Sequence, residues 1–135
     1  MVQQEESRAQ PGSTAAAISN AVVHLLREYT GRGPTKAKTV ITRDLVAVVL
    51  EDTMTKGERS LVADGKADIV LNMRHEFQRT MREDLVEAVE SRIGRKVIAF
   101  MSDNHIAPDM GVELFVLEPR PNGDQPDEEG VPETG

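Results

Sequence analysis

Residues 39–50 read TVITRDLVAVVL, two runs of β-branched and aliphatic residues separated by a single charged pair, Arg43-Asp44. Such residues suit a pleated, half-buried backbone, and a charged pair between two runs is a turn signal. Two strands meeting in a tight hairpin at Arg43 and Asp44 account for the pattern; one long bent strand is the alternative. Either way a sheet lies at the centre of the fold.

Working outward, the hairpin is entered from residues 31–43, GRGPTKAKTVITR, which hold cations and no acid. Before it, Ile18, Ala21, Val22, Leu25, Leu26 and Tyr29 recur at spacings of three and four, the signature of a helix with one apolar stripe. Ser13 or Thr14 would cap that helix and Gly31 would stop it. After the hairpin, Thr55-Lys56-Gly57-Glu58 has the capping-box form and predicts a short helix to about Ala63. A longer helix follows over residues 68–92, with Ile69, Val70, Met73, Phe77, Met81, Leu85, Ala88 and Val89 on one face and Gly94 as its cap. Residues 96–102 and 111–117 read as two further strands, joined by a polar turn over residues 103–109. The order is α-β-β-α-α-β-β. It predicts an α+β two-layer sandwich, a four-stranded antiparallel sheet with helices on one face. A sheet covered on one side leaves its other face or an edge for a partner. Val46, Val48, Phe115 and Leu117 are read as apolar surface that a homodimer would share.

At 135 residues the chain fits one domain, read as residues 13–118 between a disordered N-terminus (1–12) and a disordered acidic tail (119–135). The net charge is −7, and residues 119–135 contribute −4 of it. The domain itself is nearly neutral, which argues against nucleic-acid binding, since that needs a broad positive footprint. Without cysteine there is no disulfide, thiol nucleophile or Cys-based zinc site, in keeping with a reducing cytoplasm. The N-terminus lacks the basic and apolar regions of a signal peptide, and no apolar run approaches the ~20 residues that span a bilayer. A cytoplasmic protein, at most peripheral to the membrane, is expected.

Arg32, Lys36, Lys38 and Arg43 form the first candidate site. A glycine-containing turn can aim backbone N–H groups at a small anion while these side chains supply charge, or the same cations can meet a partner protein. The bland alternative is that they are solvated or pair with Glu51 and Asp52. The run lacks the Gly-Lys-Ser/Thr ending of a P-loop and enters a strand where a P-loop enters a helix. Asp103, His105 and Asp109 in the polar turn offer oxygen and imidazole ligands for a metal or small ligand, although Asp is also an ordinary turn residue. His75-Glu76 begins like a metalloprotease helix motif, but the second histidine would fall at position 79, which is Arg79. Ser60, Ser91 and Ser102 lack a nucleophile-elbow context. No catalytic residues, resident metal or cofactor are assigned, and a non-enzymatic role is expected.

Several short pieces carry a family resemblance through their order and spacing. They are GRGPTKAK at 31–38, the strand at 45–51, Thr55-x-x-Glu58-x-x-Leu61, Met73-Arg74, Thr80-Met81, Gly94-Arg95-Lys96-Val97 and Ser102-Asp103. Together, over residues 17–118, they resemble the former domain-of-unknown-function family now labelled the Na+-translocating membrane-potential-generating system protein MpsC. The resemblance implies association with a membrane transport complex that couples sodium movement or bicarbonate uptake to membrane potential. A chain with no spanning segment cannot conduct the ion itself, so the implied role is that of an accessory or regulatory subunit.

Overall fold

The structure, a computed structural model, describes residues 11–120. The proposed N-terminal tail lies outside these residues up to position 10, as does the acidic tail from position 121. The elements are α1 (Pro11–Thr30), β1 (Lys36–Thr42), β2 (Leu45–Glu51), α2 (Lys56–Ala63), α3 (Ala67–Ile93), β3 (Val97–His105) and β4 (Met110–Leu117). The α+β class, the order and the antiparallel sheet are those the sequence predicts. The hairpin reading of residues 39–50 holds: Thr42 pairs with Leu45 across Arg43 and Asp44. Arg43 takes φ 47°, the left-handed conformation that two-residue hairpin turns require.

The strands lie in the order β1-β2-β4-β3, all antiparallel. Alternate residues of each strand point to opposite faces. One face therefore collects Val46, Val48, Leu50, Phe115 and Leu117, which pack with Ile18 and Val22 of α1 and Met81, Leu85 and Val89 of α3 into a single buried core. Each fully buried aliphatic side chain contributes about 1.5–3 kcal/mol, so this stripe-on-sheet contact is the main stabiliser. Phe100 and Phe115 add a tilted ring pair at 5.1 Å. Helix α1 packs on β1, α3 on β3, and the two helices on each other, where the Tyr29 hydroxyl donates to Asp84 at 2.7 Å.

Four expectations need correction. Val46, Val48, Phe115 and Leu117 are fully buried beneath the helices, so they are core and not shared dimer surface. In β2 and β4 both alternate sets are apolar, and register decides which set faces inward. The first helix opens at Pro11, ahead of Ser13 and Thr14, because proline's fixed φ suits a first turn whose N–H groups need no helical partner. β1 begins at Lys36, earlier than expected, with the Thr35 N–H already bonded to the Glu51 carbonyl at 3.2 Å. β3 extends to His105, because Asp103, Asn104 and His105 continue the ladder opposite Val112, Gly111 and Met110. The turn shrinks to residues 106–109.

Candidate functional site

The basic segment does not converge on one point. Gly31, at φ 83°, ends α1, and the chain then crosses to the sheet with Pro34 buried. Arg32 turns inward: its guanidinium donates to the Asp52 carboxylate at 3.0 Å and to the Asp52 carbonyl. Asp52 itself sits at φ 57° and also pairs with Arg59, so the Arg59 guanidinium first, then Arg32, holds its carboxyl below the ordinary range. Lys36 and Lys38 are exposed on the sheet face away from the helices. Arg43 is at the opposite end of β1, seven residues from Lys36 and so roughly 20 Å away along the strand.

Asp103, His105 and Asp109 are not brought together either. Asp103 and His105 lie on the outer sheet face, and the His105 Nδ1 meets the Pro108 carbonyl at 2.8 Å. Asp109 serves the other side: it accepts from the Thr53 hydroxyl at 2.7 Å and the Met54 N–H at 2.9 Å. Among the described residues no group of three or more His, Asp or Glu is placed to hold a metal ion.

What the fold does assemble is a polar pocket between α3, β4 and the connection from β2 to α2. Its wall includes Thr30, Arg32, Thr53, Glu58, Arg74, Gln78, Asn104 and Glu113 among apolar Leu26, Leu50, Phe77 and Met81. Glu58 completes the capping box of α2, accepting from the Thr55 N–H at 2.8 Å, and is gripped by Arg74 from α3 through contacts of 2.7 and 3.1 Å. Both side chains are largely buried, so the fork-to-carboxylate geometry offsets a desolvation cost of several kcal/mol. Arg74 also donates to the Thr53 hydroxyl and carbonyl at 2.9 and 3.0 Å. Gln78 and Asn104 pair through their amides.

Glu113 is the exceptional member. It occupies the middle of β4 on the inward face, in register with Val48 and Ser102, and is 2% exposed. The Ser102 hydroxyl donates to its Oε1, and this is its one hydrogen bond among the described residues. Burial pushes the carboxyl up to about 7, against smaller opposing pulls from Ser102 and the Arg74 charge. A core position flanked by Gly111 and Phe115 would be more stable with an apolar side chain. A buried acid that titrates near neutrality, beside a pocket, is the combination found where a protein binds or switches.

The pocket and Glu113 were not singled out from sequence. Of the short pieces that carry the family resemblance, Glu58 and Arg74 line the pocket, but nothing in one strand says that an acid faces the core.

These features define a two-layer α+β domain with one buried carboxylate pocket and one open sheet face. Among the described residues no helix is long and apolar enough to cross a membrane. The family model described as Na+-translocating membrane potential-generating system (MpsC) matches residues 10–119, most of the chain, and the chain belongs to that family. No curated protein and no solved structure matches it.

Proposed function

We propose that this protein is a non-enzymatic accessory or regulatory component of a Na+-translocating membrane potential-generating system, acting at the cytoplasmic face and touching the membrane complex only peripherally. The family membership supports the system, and the lack of a spanning helix among the described residues supports a role other than conduction. The observation that carries regulation is Glu113: a fully buried carboxylate whose charge changes near neutral pH, at the wall of a pocket that links α2, α3 and both central strands. Its ionisation, or a small hydrogen-bonding ligand that favours one charge state, would bias how α3 sits on the sheet and α2 on α3. The exposed lysines Lys36 and Lys38 enter this reading as a protein-contact surface. Arg32, held by Asp52, has a structural part beside them.

The test is a host strain lacking the chain, complemented with wild type or Glu113→Gln, with membrane potential followed by a voltage-sensitive dye across external pH and sodium. Wild type should restore the potential, and Glu113→Gln should restore it with an altered pH dependence. A potential unaffected by removing the chain would sink the assignment to the system. Identical pH profiles for the two versions would remove Glu113 from it.

A further inference from the structure

We propose that the outer face of the sheet is closed by a second copy of this chain, the two sheets stacked about a twofold axis parallel to the strands. This names the partner for the lysine contact surface and rests on that reading; it is independent of the Glu113 pocket.

All core packing of α1 and α3 is on the inner face, and no described helix covers the outer one. The register sets the outer face in rows. One row is Val40, Ala47, Leu114 and Met101, and the next is Thr42, Leu45, Val116 and Ala99. Val40 and Met101, at opposite edges, are 42% and 51% exposed. Two adjacent rows, apolar but for Thr42 at one edge, on an uncovered sheet are a surface that folding alone does not bury.

The third row selects the occupant. It runs Lys38, Val49, Val112, Asp103, an apolar centre with a cation on one edge strand and an acid on the other. Within one chain these charges stand three strand spacings apart, about 14 Å, too far to pair. A twofold axis along the strands lays β1 of one copy over β3 of the other at the same height. Lys38 then faces Asp103 of the second copy, twice over by symmetry, Val40 faces Met101, and the valines meet in the middle. An axis across the strands would instead set Lys38 over Val40 and Asp103 over Met101, leaving charges against apolar groups. In the outermost row Lys36 has Glu51 as its own cross-strand neighbour and stays at the rim.

Four strands by seven residues span roughly 20 Å by 23 Å, so the stacked pair hides on the order of 1,000 Å² in total, the low end for a specific interface. The dimer should therefore depend on concentration.

The test is analytical ultracentrifugation of the full chain from sub-micromolar to tens of micromolar, with circular dichroism of each variant to confirm folding. Wild type should pass from monomer to dimer. Met101→Glu, at an exposed position, should stay monomeric and folded. Lys38→Asp should weaken the dimer about tenfold or more, and the exchange Lys38→Asp with Asp103→Lys should recover most of the loss. A monomer at every concentration overturns the proposal, as does a dimer indifferent to Met101→Glu and Lys38→Asp. If the chain is monomeric but Lys38→Asp abolishes its recovery with native membranes, the lysine contact stands and only the second copy falls. If neither property changes, both fall.

Discussion

Glu113 sets the behaviour expected at the scale of a single residue. In the unfolded chain its carboxyl titrates at the ordinary 4.5, and in the folded chain at about 7. Between those values the folded state holds a proton that the unfolded state has lost. Stability is therefore fully present below the unfolded value and declines as pH rises through 7, by on the order of 3 kcal/mol. The charged groups sharing its pocket, Arg32, Glu58 and Arg74, are already in ion pairs of their own, so none is free to neutralise it. Glu113→Gln keeps the shape and the Ser102 contact but cannot ionise. Its melting temperature should lack this decline and should exceed that of wild type above pH 7. A wild-type melting temperature that tracks the variant's from pH 5 to 8 would show that the carboxyl does not titrate there. The sequence hides this residue for a definite reason: in MGVELFVL either alternate set can be the buried one, and an acid in a strand ordinarily marks the wet face.

Elements are where sequence and structure agree best, because their signals are local. Thr55 and Glu58 announce α2 through a capping box that forms in full, and Gly94, at φ 71°, ends α3 with its N–H on the Glu90 carbonyl at 2.9 Å. The elements' mutual fastening is less legible. Arg95, which in the sequence is one member of the Gly94-Arg95-Lys96-Val97 run, reaches the Arg43 carbonyl at 2.9 Å, the Asp44 carboxylate at 2.7 Å and the Glu118 carbonyl at 3.0 Å. It thereby clamps the β1–β2 turn to the end of β4, a contact over residues far apart in the chain. Arg95→Ala should cost about 1–3 kcal/mol, since it leaves several acceptors without their donor. Hydrogen exchange should quicken at residues 42–45 more than at the opposite end of the sheet; uniform exchange would mean that the hairpin holds itself. The turn over residues 103–109 shows the converse: Asp and Asn are fair turn signals, yet the β4 partner strand draws Asp103 to His105 into the ladder.

On the scale of the whole molecule, the strand order β1-β2-β4-β3 divides the sheet into two hairpins, each closed by a short turn. Only the central seam, where Glu51 lies opposite Met110, joins parts of the chain separated by both α2 and α3. Closing so long a loop is slow beside forming a hairpin, so the order of events in refolding should follow this geometry. Because successive amides of β2 point alternately toward β1 and toward β4, that one strand carries a clock for both steps. In pulse-labelled exchange its β1-facing amides should become protected before its β4-facing ones, and simultaneous protection would mean that the two hairpins never exist apart. Glu113 lies at that seam, opposite Val48, and is enclosed only once the two hairpins join, so the charge that weakens the finished fold as pH rises weighs on their union and not on either hairpin alone.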